Sequence, residues 1–193
     1  MPEFKDLKPK EKFDWVANAA AQAGDPHPLV TAAQWALESG WGKHQSGKNN
    51  FFGIKSAKKG EGSLVPTWEV YNGKKVNIKD WFADYATVDE GIAARVKFAQ
   101  GSRYRDSYSR AKTPYEAAEA LRRAGYATDP DYAKKLSSIM KGVGYDPNKP
   151  WTPPKKNTST PASSGSWTSP IKTISQRSYE LYDKFLLQGG VER

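Results

Sequence analysis

A short apolar segment with clear start and stop signals constrains the fold of this chain more than any other stretch. After the start signal at Asp25–Pro28, apolar side chains recur at helical spacing until Ser39-Gly40 ends the pattern. One carboxylate, that of Glu38, falls at this end, between Trp35 and Trp41. An apolar pocket and the negative end of the helix dipole both disfavour an ionised carboxylate. We therefore expect Glu38 to stay protonated near neutral pH and to act as a general acid, the alternative being a surface glutamate beside core tryptophans.

Composition excludes several kinds of active site. The 193 residues include no cysteine, which excludes disulfides, thiolate-bound metal and thiol nucleophiles. The two histidines, His27 and His44, are too few for a histidine-rich metal site and have no ligand-spaced histidine partner. His44 follows Glu38 in a predicted loop, where an ordinary loop histidine is favoured over a substrate contact. We expect neither a metal nor a cofactor.

The formal net charge of +9 predicts attraction to polyanions. The basic clusters at 55–59, 74–75 and 122–123 fall on different predicted elements, which argues against a nucleic-acid interface. No apolar run approaches the roughly 20 residues of a membrane helix, and no secretory signal pattern is present at the N-terminus. The charge alone does not choose among nucleic acid, an anionic membrane surface and a bacterial cell wall, and a protein that acts on the wall would need a non-Sec route to reach it.

The remaining periodicity predicts a mainly helical domain with one small β-lobe. Asn72-Gly73 between two alternating segments predicts a hairpin with strands over about 64–71 and 74–81. Thr87 and Thr113 each precede a glutamate by three residues and open helices. The predicted helices cover about 11–23, 29–38, 87–100, 113–124 and 130–142. The fold class is therefore α+β, mainly α, with a cleft between the helical lobe and the hairpin.

Several ordered blocks of the sequence resemble the family-73 glycoside hydrolases, the N-acetylglucosaminidases of bacterial autolysins, flagellar rod-assembly proteins and phage lysins. The resemblance covers roughly residues 11–145, and it implies a lysozyme-like fold and hydrolysis of peptidoglycan. The blocks that carry it are Leu37–Gly42, Asn49–Lys55, Thr67–Gly73, Trp81–Tyr85 and Gly125–Lys135.

The resemblance also implies which residues act. Glu38 matches the catalytic acid, Glu69 the second acidic residue in the β-lobe, and Tyr126 the third residue that lines the cleft. Asp80 and Asp84 compete with Glu69 for the second role. Glu69 would activate water or steady the transition state, unless the substrate's own 2-acetamido group is the nucleophile.

Aromatic and amide side chains near these blocks are candidates for contact with sugar. Aromatic faces stack on the apolar faces of sugar rings, although some of these residues must belong to the core. The substrate-binding candidates are Trp41, Asn50, Phe51, Phe52, Trp68 and Trp81.

The sequence thus predicts an endo-β-N-acetylglucosaminidase that cleaves peptidoglycan strands, as a phage tail or virion-associated lysin. A muramidase or lytic transglycosylase, and a catalytically silent wall-binding module of a virion, are the alternatives. Residues 1–146 form the predicted catalytic domain. Residues 147–170 read as a Pro/Ser/Thr/Lys-rich linker, and 171–193 as a short helical tail that anchors the enzyme to a larger assembly.

Overall fold

The computed structural model describes residues 3–71, 74–101 and 103–153, without the side chains of 68–71 and 75. The predicted Asn72-Gly73 turn, most of the predicted linker and the predicted tail lie outside these residues. The helices are α1 Pro9–Gln22, α2 Pro28–Glu38, α3 Val88–Ala99, α4 Arg105–Arg110, α5 Pro114–Arg123 and α6 Tyr132–Gly142, and the strands are β1 Ser63–Tyr71 and β2 Lys74–Phe82. The fold is α+β and mainly helical, as predicted.

Helix α2 forms the centre of the domain. Every residue from Pro28 to Ala36 is buried, and α1, α3, α5 and α6 all pack around this helix. A helix that is apolar on all sides is stable only when other elements cover it completely. The apolar periodicity of α2 therefore determines the centre of the fold. Glu38 lies at the end of α2, where the surrounding helices no longer bury it.

Local capping signals set the helix boundaries much as the sequence predicts. The Thr87 hydroxyl accepts the Glu90 N–H at the start of α3, and the Thr113 hydroxyl accepts the Glu116 N–H at the start of α5. Two short elements were not predicted: α4, and a turn of 3₁₀-helix at Phe4–Asp6. No helix in the described part of the chain is long and apolar enough to cross a membrane.

The hairpin forms a lobe of its own. β1 and β2 pair in antiparallel register, from Ser63 opposite Phe82 to Tyr71 opposite Lys74, which confirms the predicted strands. The loop before β1 is bonded to β2, since its Ser56 N–H donates to the Trp81 carbonyl at 2.8 Å. The β-lobe is therefore attached mainly through loops.

Contacts with the helical core continue past residue 146, where the sequence suggests that the domain ends. The Tyr115 N–H donates to the carbonyl of Pro147 at 2.9 Å, and Trp151 is half-buried against the core. Residues 147–151 thus pack on the helical domain.

Candidate active site

Glu38 lies at the rim of the domain, where α2 ends. It is the last residue of this helix, and its side chain is exposed. The chain then turns through Gly40, Trp41 and Gly42, whose φ values are 57°, 65° and 80°. Ser39 fastens this turn, because its Oγ accepts the Gly42 N–H at 2.8 Å and donates to a carbonyl in the last turn of α2. A buried helix with a tightly bonded end therefore fixes the backbone position of Glu38.

The two tryptophans near Glu38 pack into the core. Trp41 adopts left-handed backbone that usually favours glycine. Its ring centroid lies 6.1 Å from that of Trp35 and 6.4 Å from that of Phe13. Trp35 is fully buried and Trp41 half-buried. The expectation of an apolar pocket around Glu38 is therefore wrong, because both indoles pack inward and the exposed carboxylate lacks the burial on which that argument relied.

Tyr126 contacts Glu38 directly. Its hydroxyl donates to Oε1 of Glu38 at 3.2 Å. The ring is half-buried and lies about 6 Å from three other aromatic rings, those of Phe98, Tyr104 and Tyr132. The structure thus brings together two of the three residues that the resemblance implies, and an aromatic cluster holds the phenol in place.

A buried arginine that the sequence analysis missed lies beside Tyr126. Arg95 on α3 is 1% exposed, and its guanidinium carbon lies 5.9 Å from the ring centroid of Tyr126 and 5.7 Å from that of Tyr108. It donates to the side-chain oxygen of Gln34, whose Nε2 donates to the Tyr132 hydroxyl at 2.6 Å. Among the described residues, Nε and Nη1 of Arg95 have no acceptor. The tyrosine faces are therefore the principal neighbours of the rest of this cation.

The carboxylate of Asp25 binds the hydroxyl of Tyr108, whose ring contacts Arg95. It is buried and accepts the Tyr108 hydroxyl at 2.8 Å, the His27 N–H at 2.9 Å and the Thr31 hydroxyl. Burial, with the charge of Asp25, raises the pKa of Tyr108 well above its ordinary value, so this phenol stays a donor. Burial lowers the pKa of Arg95, but the surrounding tyrosines and Asp25 raise it more, so the guanidinium stays charged. Tyr108 thus links a buried anion to a buried cation.

Glu69, the candidate second acid, lies on the β-lobe, where the structure describes its backbone and not its side chain. The Cα of Glu69 is paired with that of Val76, two residues before the end of β1. Of its competitors, Asp80 forms an ion pair with Lys55 at 2.8 Å. Partial burial acts to raise the pKa of Asp80, but the Lys55 ammonium and a backbone N–H outweigh it and hold the pKa below the usual value. Asp84 accepts from the Lys48 N–H and the Ser63 hydroxyl. Both aspartates therefore stabilise loop structure.

Three of the substrate-binding candidates are buried. Asn50 is fully buried: its Nδ2 donates to the carbonyls of Ile54 and Ala83, and its Oδ1 accepts the Ile54 N–H. Phe51 and Phe52 are 8% and 4% exposed and belong to the core. The prediction that these three residues bind sugar is corrected. Their side chains are buried, stabilise the fold and expose almost no surface to a sugar. Trp81 is half-buried on β2, and the side chain of Trp68 lies outside the described residues.

The two histidines lie at opposite ends of α2. His27 is buried at the start of α2, where burial lowers the pKa of its imidazole. It lines a cavity of about 230 Å³ with Lys112 and Trp151, at the opposite end of α2 from Glu38. His44 is exposed, with its ring against Gly40. No group of three metal-ligating side chains occurs within the described residues.

The local sequence contains a signal for the buried arginine. Ile92, Val96 and Ala99 form the buried stripe of α3, and Arg95 lies within it. Gln34 is likewise a polar residue within the buried part of α2. A polar or charged side chain on an apolar stripe must find a partner in the interior.

Comparison with known proteins assigns the chain to a family. Residues 15–144 match the family model for glucosaminidases, described as mannosyl-glycoprotein endo-beta-N-acetylglucosaminidase. The chain belongs to the glucosaminidase family. The peptidoglycan hydrolase FlgJ of Salmonella typhimurium is 36% identical over 130 residues, which are 63% of this chain and 41% of FlgJ. The exo-glucosaminidase LytG of Bacillus subtilis is 37% identical over 126 residues, or 62% of this chain and 45% of LytG. This glucosaminidase-family chain thus spans less than half the length of these curated relatives.

Solved structures confirm the fold. The catalytic domain of the autolysin Auto from Listeria monocytogenes aligns with a TM-score of 0.60 and 28% identity, over 74% of this chain and 86% of that domain. A truncated glycoside hydrolase domain of Salmonella typhimurium FlgJ aligns with a TM-score of 0.57 and 32% identity, over 70% of this chain and 97% of that domain. The glucosaminidase-family domain therefore has the lysozyme-like architecture that the resemblance implied.

The buried charges should be energetically coupled through Tyr108. We expect Asp25→Asn and Arg95→Met each to lower the free energy of unfolding by about 3–5 kcal/mol, because each leaves the opposite charge uncompensated. The double variant should lose less than the sum of the two, by about 0.5–3 kcal/mol. Urea unfolding at pH 7, followed by tryptophan fluorescence, measures all three.

The control pair is Asp106→Asn with Arg110→Met, an exposed pair on α4 whose charged atoms lie 3.8 Å apart. Its effects should be small and additive. Additive losses for Asp25 and Arg95 would contradict the coupling.

Proposed function

We propose that this chain is a peptidoglycan hydrolase that cleaves glycan strands as an endo-β-N-acetylglucosaminidase, with Glu38 as its acid. The observation that carries the proposal is the contact between the Tyr126 hydroxyl and the Glu38 carboxylate, in a domain of the glucosaminidase family. The names of the relatives support the substrate, since FlgJ is called a peptidoglycan hydrolase and LytG an exo-glucosaminidase.

Glu38 is placed to give a proton to the glycosidic oxygen. General acid catalysis requires a carboxyl group that reaches the leaving oxygen and is held in one orientation. The exposed position of Glu38 at the end of α2 provides access, and the Tyr126 hydroxyl provides orientation.

Glu69 is the proposed second acid. Asp80 and Asp84 are engaged in an ion pair and in hydrogen bonds within the β-lobe, which leaves Glu69 as the better candidate among the three. A carboxyl separation of about 6.5–9.5 Å would suit direct attack by water, and about 5–5.5 Å a covalent intermediate. Attack by the substrate's 2-acetamido group would give Glu69 only a supporting part.

The proposed sugar contacts are the exposed parts of Trp41 and Trp81, together with Trp68. Indole faces offer flat apolar area for the faces of sugar rings. The net charge of +9 also favours association with the anionic bacterial wall.

A muramidase is the nearest alternative. A relative from Lactococcus lactis named as a probable N-acetylmuramidase is 30% identical over 133 residues. The relatives thus include one named as a glucosaminidase and one named as a muramidase. A lytic transglycosylase is a further alternative, and its product differs from those of both. A catalytically silent wall-binding module would keep the fold without turnover.

We also propose that the chain acts as a virion-associated lysin, with residues 171–193 as the anchor to a phage tail or similar assembly. What supports this is the sequence alone, in which a Pro/Ser/Thr/Lys-rich segment precedes apolar residues at helical spacing.

Glu38→Gln should lower turnover of purified peptidoglycan by about 100- to 10,000-fold, the usual contribution of a general acid. Glu69→Gln should lower turnover nearly as much if Glu69 activates water, and much less if the acetamido group is the nucleophile.

Borohydride reduction and mass spectrometry of the released fragments identify which glycosidic bond is cleaved. Reduced N-acetylglucosamine ends are expected, whereas reduced muramic ends would indicate a muramidase and anhydro-muramic ends a transglycosylase.

Glu3→Gln is the control, since this exposed glutamate is paired with Lys5. Substantial activity in Glu38→Gln would show that another residue is the acid. The absence of any products from the wild-type protein would favour the silent module.

Tyr126→Phe should lower kcat about 10-fold or more with little change in Tm. The variant loses the hydrogen bond to Glu38, and such bonds to charged groups are worth about 1.5–3 kcal/mol. The ring remains in its aromatic cluster. Steady-state kinetics and thermal unfolding are measured beside Tyr115→Phe, a half-buried tyrosine on α5. Unchanged kcat would remove the Tyr126 hydroxyl from the mechanism.

Ending the chain after Pro153 should spare activity on soluble wall fragments and abolish association with the larger assembly. This endpoint keeps Pro147 and Trp151, which contact the helical domain. Activity assays and co-sedimentation with virions check both parts. Retained association would show that the anchor lies within the catalytic domain.

A further inference from the structure

Arg103 presents a guanidinium beside the backbone that leads to Tyr126. Its side chain is exposed, and its Nε donates to the Ala124 carbonyl at 2.8 Å. Ala124 follows the last residue of α5 and precedes by two positions the tyrosine that contacts Glu38. The arginine is therefore anchored close to the candidate active site without touching Glu38.

Gly125 leaves the space that this guanidinium occupies. Its φ of 80° is left-handed, as is typical of a glycine that ends a helix. A Cβ at this position would lie 2.7 Å from Nη2 of Arg103 and would displace it. The guanidinium carbon also lies 5.9 Å from the ring centroid of Tyr104. The backbone and an aromatic face thus hold the cation in a defined place.

The surroundings of Arg103 leave its charge without a counter-ion among the described residues. Its contacts there are a carbonyl, a glycine backbone and a tyrosine face, none of which is negatively charged. Several other surface cations pair with carboxylates, as Lys10 does with Asp14 at 2.8 Å. Once Nε is bound, the terminal nitrogens of a guanidinium can still bind a carboxylate through charge-assisted hydrogen bonds.

We propose that Arg103 binds a carboxylate of the peptidoglycan strand and so selects which strands dock with a glycosidic bond at Glu38. The inference rests on the proposed function, because it names a specificity residue for that same site. Two parts of the substrate carry such a group. One is the peptide stem, and the other is the lactyl ether of muramic acid once its stem has been removed.

Loss of this contact should change KM and leave kcat unchanged. Arg103 does not contact Glu38, so its removal should not alter proton transfer. An exposed ion pair is weak, and we expect Arg103→Gln to raise KM about 2- to 5-fold. The difference should shrink at high ionic strength, because salt screens exposed charges. Arg103→Lys, which keeps the charge, should recover part of the loss.

The experiment compares three forms of the glycan strand. The first retains peptide stems, the second has been stripped by an amidase to expose lactyl carboxylates, and the third is the stripped strand with those carboxylates converted to amides. Arg105→Gln is the matched control. Arg105 is also exposed, and its Nε donates to the Gln100 carbonyl at 3.1 Å. Gln100 in turn contacts Gly24, before the start of α2 and away from Glu38.

The expected result is a raised KM for Arg103→Gln on at least one carboxylate-bearing strand, with no change on the amidated strand or in Arg105→Gln. An effect confined to intact strands would identify the stem, and one confined to stripped strands the lactyl group. An equal rise on the amidated strand would overturn the inference, because Arg103 would then act only through the Ala124 carbonyl. Wild-type KM on all three would overturn it too. A wild-type protein that is inactive on every strand would instead refute the proposed function.

Discussion

The buried charge of Arg95 is the constraint on which the geometry of the site depends. A guanidinium that is removed from water must be surrounded by acceptors, π faces or opposite charge, and it can have them only if several elements meet around it. Arg95 brings α3 against Gln34 of α2 and against Tyr108 of α4. It also lies beside the Tyr126 ring. Interior electrostatics therefore help to position the phenol that contacts the catalytic candidate Glu38.

Those parts of the fold that depend on local signals could be predicted from the sequence. The apolar stripe before Glu38, the threonine caps at Thr87 and Thr113, and the Asn-Gly dipeptide between alternating segments each act within a few residues. The structure has α2, α3, α5 and both strands close to the predicted bounds. The contact between Tyr126 and Glu38 joins residues 88 positions apart, and only the family resemblance indicated it.

Features that depend on packing between distant segments could not be predicted in this way. The sequence Asn50-Phe51-Phe52 is compatible both with a cleft lining and with a buried loop. The hydrogen bond from Asn50 to the distant Ala83 carbonyl shows that Asn50 stabilises a loop. The prediction that Trp35 and Trp41 form a pocket around Glu38 is wrong for a similar reason. The left-handed turn through Gly40 and Trp41 directs the second indole back onto Phe13, and nothing in the spacing reveals that direction.

The way the β-lobe is attached has a consequence for how members of such a family can diverge. The side-chain Nδ2 of Asn50 donates to the backbone carbonyls of Ile54, before the hairpin, and of Ala83, after it. Among the strand side chains that the structure describes, none belongs to the hydrophobic core cluster around α2. Substitutions along the strands therefore need not disturb the helix that carries Glu38. Such a lobe can vary in sequence while the end of α2 keeps its position.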